Sequence, residues 1–266
     1  MNDKKKALLN KEHYDFYDLC DVIEILRAPG GCPWDREQTH ESIRQNFIDE
    51  TYEAIEGIDN NDKELLCEEL GDVMMQVVFH AQIDKEEGGF DINNVTDGVV
   101  KKLIYRHPHV FADTVADTSD EVLVNWEKLK AKEKNRDTVT STLESVPKPL
   151  PALMRAEKVG KKAAKVGFDF ETAMDAAKKI TEETEEFLSA DDEHREEELG
   201  DLLFAVVNTA RKYGISAELA LTKATNKFIS RFAKVESGVV NDGKKMEELS
   251  LEELDRYWDE AKKTSK

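Results

Sequence analysis

Two stretches of this chain carry the same pair of acid-bearing helices, and that repetition limits what the rest can fold into. Residues 179–201 read KITEETEEFLSADDEHREEELGD, two helices joined by a short polar turn at Ala190-Asp191-Asp192. Glu183 and Glu186 stand at i and i+3 on the first helix, and Glu198 and Asp201 repeat that offset on the second. Residues three apart share a helix face, so an antiparallel hairpin lets the four carboxylates converge. Glu-rich helices are usually no more than solvated faces. Here the apolar run LLFAVV follows Asp201 directly, so the second acid pair borders a core rather than water.

The pattern occurs a second time, in IDETYEAIEGIDNNDKELLCEELGDVMMQVVFHA. Glu50 and Glu53 match Glu183 and Glu186, and Glu69 and Asp72 match Glu198 and Asp201. Downstream, Lys102 and Arg106 in KLIYR match Lys227 and Arg231 in KFISR, and Trp126 matches Trp258. Upstream, Trp34-Asp35 matches Phe168-Asp169. Landmarks repeated in one order indicate an internal duplication of about 110 residues. Clustered acids repel unless a cation lies among them, and oxygen-only ligands suit Mg2+, with Mn2+ as a substitute.

The duplication divides the 266 residues into two helical units. The expected layout is an N-terminal domain over 1–132, a linker over 133–151 and a C-terminal domain over 152–266. The linker reading rests on three prolines and several Ser and Thr in EKNRDTVTSTLESVPKPLP. Apolar spacing predicts helices at 12–27, 36–58, 63–86 and 94–106, the last stopped by Pro108. In the second half it predicts helices at 152–165, 171–189, 193–213, 216–236 and 250–263. No strand-like alternation and no GxxxxGK[ST] phosphate loop is present, so the fold class is all-α, two bundles in tandem.

A formal net charge of −19 argues against nucleic acid polymers and anionic membranes as partners. No apolar run approaches the roughly 18 residues of a membrane span. Cys20, Cys32 and Cys67 show no CxxC spacing and cannot all pair, which points to a reducing, cytoplasmic setting. Cys32, in the helix-breaking APGGCPWD, reads as a packing residue.

The ExxE…ExxD pattern with a downstream lysine and arginine resembles the all-α nucleoside triphosphate pyrophosphohydrolases. More narrowly, GCPWDREQTH, ELGDVMMQVVFHAQ, RHPHVF and LPALMRAEKVGKKAAKVGFD resemble the tandem-domain MazG family, over about residues 19–262. The resemblance implies Mg2+-dependent hydrolysis of a nucleoside triphosphate to monophosphate and diphosphate, broad for NTPs and dNTPs, by a homodimer. It implies Glu183, Glu186, Glu198 and Asp201 as metal ligands. It implies Lys179, Glu182, Glu183, Glu197, Glu198, Lys227, Arg231 and Trp258 at nucleotide-contacting positions. Glu50, Glu53, Glu69 and Asp72 are the N-terminal equivalents of the ligands. His194 stands where the family can carry a lysine.

The residues themselves admit matching roles. Glu182 could take a proton from water, although a solvated acid fits it nearly as well. Lys227 and Arg231, at i and i+4, could clamp a phosphate tail, with Lys227 the residue placed at the chemistry. Trp258 could stack on a base or cap the bundle. The two units are expected to be unequal. Lys179 stands four residues before Glu183, whereas Asn46 stands four before Glu50, and Asp49 replaces Glu182. The C-terminal unit is therefore expected to carry turnover. Three other readings compete. A di-iron bundle needs two Glu-x-x-His motifs and finds only Glu37 to His40. The second is a non-catalytic, cation-binding scaffold. The third is a narrow dNTP or phosphoribosyl-ATP pyrophosphohydrolase.

Overall fold

A computed structural model describes residues 2–112, 118–133 and 138–263. They form helices and turns, with no strand among the described residues, as expected. The chain separates into two compact units, residues 1–133 and 134–266.

The N-terminal unit holds α1 (Asn2–Leu9), α2 (Phe16–Arg27), α3 (Pro33–Glu37), α4 (Arg44–Asp59), α5 (Lys63–Glu86), α6 (Ile92–Arg106), α7 (Pro108–Phe111) and α8 (Ser119–Glu133). Helices α4 and α5 form the hairpin, α2 packs across α5, and α8 packs on α6. The hairpin turns at Asn61, whose φ of 54° is the left-handed conformation that asparagine tolerates. Asp62 then caps α5 by accepting from the backbone N–H groups of Glu64 and Leu65. Gly57 lets the helices close: a Cβ there would stand 2.8 Å from the Leu66 backbone nitrogen.

Ile23, Ile43, Val78, Phe79 and Ile83 form the core between α2, α5 and the start of α4. Arg27 closes its end. Its guanidinium lies 5.2 Å from the Phe79 ring centroid, pairs with Glu86 at 2.9 Å and donates to the backbone carbonyls of Asp35 and Gln38. One buried arginine thus pins the whole Pro/Gly break after α2.

The C-terminal unit holds α9 (Val139–Glu144), α10 (Ala152–Ala164), α11 (Ala173–Ser189), α12 (Arg195–Lys212), α13 (Ala217–Asn241) and α14 (Leu251–Lys263). Helices α11 and α12 repeat the hairpin, α10 packs across α12, and α14 packs on α13. Val235, Val239 and Ala261 form a core, with Tyr257 and Trp258 packed against it.

Several boundaries differ from expectation: α2 starts at Phe16, behind its Asp15 cap, rather than at 12, α13 runs on to Asn241 rather than 236, and three further differences change the layout. The helix expected over 36–58 splits into α3 and α4, because Thr39 and Ser42 exchange side chain–backbone hydrogen bonds at 2.9 and 3.2 Å, a local alternative to helix. Beyond Arg106 the chain restarts as α7 with Pro108 at its first position, where a missing N–H costs nothing. The stretch expected as a linker contains α9, followed by Val146 at 3 % exposure.

Candidate active site

The α11–α12 hairpin brings one oxygen each of Glu183, Glu186 and Glu198 within 4.8 Å of one another. In the N-terminal unit the corresponding group is Glu50, Glu69 and Asp72. Each hairpin therefore unites three of its four expected acids. Glu53 falls outside the first group and Asp201 outside the second, both on exposed positions. Glu37 and His40 do not share a helix, since α3 ends at Glu37, so the one Glu-x-x-His spacing makes no ligand pair.

The acids are strained by burial and by each other. Burial pushes the Glu50 and Glu69 carboxyls above the ordinary range, and the neighbouring charges of Asp72 and Glu53 add to it. Glu186, on an exposed position, is raised by partial desolvation within the group and by Glu183. Glu69 is 6 % exposed, and its Oε2 atom has no hydrogen-bond partner. Such a buried orphan is costly. An all-oxygen group short of positive charge is what a hard divalent cation fits, so the residues present suit Mg2+.

The two units stabilise their first acid differently. Lys179 places its ammonium 2.6 Å from Glu183 and 2.7 Å from Glu182. Those two hydrogen bonds raise its pKa well above the ordinary lysine value. In the N-terminal unit Asn46 offers no charge, and the neighbour that lowers the Glu50 carboxyl is Gln76, 5 % exposed. Gln76 escaped the motif reading, although a lone amide inside the apolar run VMMQVVF was its signal. The equivalent position on α12 is Ala205.

The basic pairs also diverge. In the C-terminal unit Lys227 is exposed, while Arg231 is half-buried with its Nε atom unpartnered. In the N-terminal unit Lys102 is exposed and Arg106 is buried, its guanidinium 5.2 Å from the Trp126 ring centroid. His107 packs edge-on to the same ring at 4.9 Å. Trp258 packs instead on Phe228 at 5.0 Å. Both line a cleft of about 330 Å³ with Phe232, Met246 and Leu254, so Trp258 caps the core and walls a cavity at once. Glu182 and Glu197 are exposed. His194 turns back on Asp191, its Nδ1 2.7 Å from the carboxylate.

One further pair was not anticipated. His40 and His80 meet Nδ1 to Nδ1 at 2.8 Å, with parallel rings 5.1 Å between centroids. That separation fits rings joined head to head in one plane, one donating to the other, rather than a face-to-face stack. Burial and the His40 neighbour lower the pKa of His80.

The MazG nucleotide pyrophosphohydrolase domain matches residues 38–111 and again 167–235, spanning both acid hairpins. A Thermotoga maritima protein described as a nucleoside triphosphate pyrophosphohydrolase/pyrophosphatase MazG is 45 % identical over 93 % of this chain and 95 % of its own length. An Escherichia coli nucleoside triphosphate pyrophosphohydrolase is 44 % identical over 92 % and 96 %. A Bacillus subtilis protein, YabN, is 47 % identical over 99 % of this chain and 54 % of its own length. With the domain matched twice, on the same hairpins that gather the carboxylates, this chain belongs to the MazG nucleotide pyrophosphohydrolase family.

Proposed function

We propose that the chain hydrolyses nucleoside triphosphates to monophosphate and diphosphate in its C-terminal unit, accepts NTPs and dNTPs broadly, and uses Mg2+ with Mn2+ as a substitute. The observation that carries this reading is the carboxylate group of Glu183, Glu186 and Glu198 with Lys179 against it. Asp201, one helical turn beyond Glu198, completes the proposed ligand set. A divalent cation held there would neutralise phosphate oxygens and acidify a water.

The remaining work is positioning and charge compensation, which phosphoryl chemistry mainly requires. Lys179 stands where it can pass from carboxylate to phosphate. Lys227 and Arg231 hold the departing diphosphate, for which the unpartnered Arg231 Nε is a ready donor. Glu182, exposed beside Lys179, accepts the proton of the attacking water, and Glu197 contacts the nucleotide from α12. The cleft walled by Trp258 and Phe228 receives the base.

The working form is a homodimer. Supporting this, Leu199, Leu203, Phe204 and Val206 on α12 and Phe228 and Ile229 on α13 are all exposed large apolar side chains, more than a lone unit covers. No helix among the described residues is long and apolar enough to cross a membrane. With three free cysteines and the acidic charge, a cytoplasmic enzyme without nucleic acid partners is the reading we favour.

Hydrolysis in 18O-labelled water tests the reaction. Label is expected in the monophosphate, with diphosphate as co-product and no turnover in EDTA. Label in diphosphate would place attack on the β phosphorus and overturn the arrangement. Turnover confined to one dNTP or to phosphoribosyl-ATP would select the narrow enzyme. No turnover of any nucleotide, with Mn2+ still bound, would select the scaffold.

A further inference from the structure

The two carboxylate groups differ in what already compensates them. Glu183 is 6 % exposed, and the Lys179 ammonium sits 2.6 Å from its Oε1. A cation approaching this group has to compete with a lysine for the most buried of its three acids. Among the described residues, no ion pair reaches Glu50, Glu69 or Asp72. The Glu69 Oε2 atom is buried and unpartnered, whereas none of the three C-terminal acids has such an atom. The N-terminal group is thus open to a cation as it stands, and the C-terminal group is partly filled by its own chain.

We propose that Lys179 is a latch on the C-terminal metal site: it holds Glu183 until a polyphosphate draws it away, so metal loads there with nucleotide, whereas the N-terminal site fills with metal alone. This rests on the metal-site reading above. The exchange is favourable because the ammonium leaves Glu183, with Glu182 still beside it, for a group of several charged oxygens. The vacated carboxylate is then open to the cation that the same phosphate brings. Reciprocity of linked binding makes metal and polyphosphate each strengthen the other in this unit. Gln76 cannot play the part in the N-terminal unit, since a neutral amide orients Glu50 without cancelling its charge.

Mn2+ binding to the full chain without nucleotide, followed by electron paramagnetic resonance and titration calorimetry, tests the latch. The wild type should fill the N-terminal site only. Binding is expected to disappear in Glu69→Gln with Asp72→Asn, and to persist in Glu198→Gln with Asp201→Asn. Lys179→Met should strengthen nucleotide-free binding at the C-terminal site by about tenfold, the size of one charged hydrogen-bonded contact. Lys179→Arg should keep the wild-type pattern, which a purely structural role would not predict for one variant and not the other. Equal filling of both sites in the wild type would overturn the latch and leave the metal reading intact. The same holds if Lys179→Met leaves C-terminal affinity unchanged. Absence of Mn2+ binding in every variant, with helical circular dichroism preserved, would remove the metal reading and the latch together.

Discussion

Replacing Asp169 by Asn should cost the C-terminal unit about 2 kcal/mol at neutral pH, and the pair it forms explains why. Asp169 follows α10 in the VGFD turn and receives both Nη atoms of Arg211 on α12, with Lys212 at 3.3 Å. The side chains are only 21 % and 9 % exposed, so this pair escapes the screening that makes most surface salt bridges worth little. The Arg211 hydrogen bonds hold the Asp169 carboxyl at about 2, against its ordinary 3.8. A difference of that size corresponds to about 2 kcal/mol. Because the folded value is the lower one, the contribution is complete above 3.8 and is lost as pH falls from 3.8 towards 2. Trp258 is the only tryptophan in residues 134–266, so a Trp34→Phe, Trp126→Phe background reports on this unit alone. Urea unfolding followed by Trp258 fluorescence should show the midpoint falling by about 1 M at pH 7. The gap should narrow between pH 4 and pH 2.5. A midpoint change below about 0.3 M, or a gap equally wide at pH 7 and pH 2.5, would show that charge does not tie α10 to α12.

Gly57→Ala should destabilise the N-terminal unit by about 1–2 kcal/mol despite better helix propensity, because its Cβ would stand 2.8 Å and 3.0 Å from Leu66 backbone atoms. A melt monitored by Trp34 and Trp126 that stays at or above wild type would refute the close approach. Glu198→Gln with Asp201→Asn should lower kcat at least a hundredfold, and Glu69→Gln with Asp72→Asn less than threefold, if transition-state charge compensation is lost only in the C-terminal unit. Equal losses in the two pairs, with oligomeric state unchanged, would end the assignment of turnover to one unit.

The helix hairpins were legible in the sequence because both structures obey one rule, three-residue spacing before an apolar run. Each apolar run buries one face, Ala205 and Val207 in LLFAVV and Gln76 and Val78 in VMMQVV, while Leu203, Phe204, Val206 and Met74 stay exposed, and that single buried face sets which way the acids turn. What could not be read were effects of side chains far apart in sequence. Arg27 reaches Glu86 and the 35–38 carbonyls, and His40 reaches His80. Neither has a local signature. The α3–α4 break was hidden for a different reason. Thr39 and Ser42 fit a helical pattern by position, yet their hydroxyls compete for the backbone, and the competition is decided by Ile43 entering the core at 3 % exposure.

The duplicated residues also show that matching positions need not keep matching duties. Arg106 and Arg231 align, as do Trp126 and Trp258, yet only the N-terminal arginine lies over its tryptophan. Phe228 occupies the α13 position that Leu103 holds on α6, and its ring packs on Trp258. There an aromatic neighbour covers the indole with apolar surface, and the Arg231 Nε has no partner. Leucine lacks a ring for that contact, and His107 and Arg106 cover Trp126 instead. A cation–π contact of this partly desolvated kind is worth about 1–2 kcal/mol, enough to retain Arg106 as a brace. The asymmetry proposed from Lys179 and Asn46 on the hairpins therefore has independent support on α6 and α13. There a single ring, Phe228, separates an arginine that holds the fold from one left with a donor to offer.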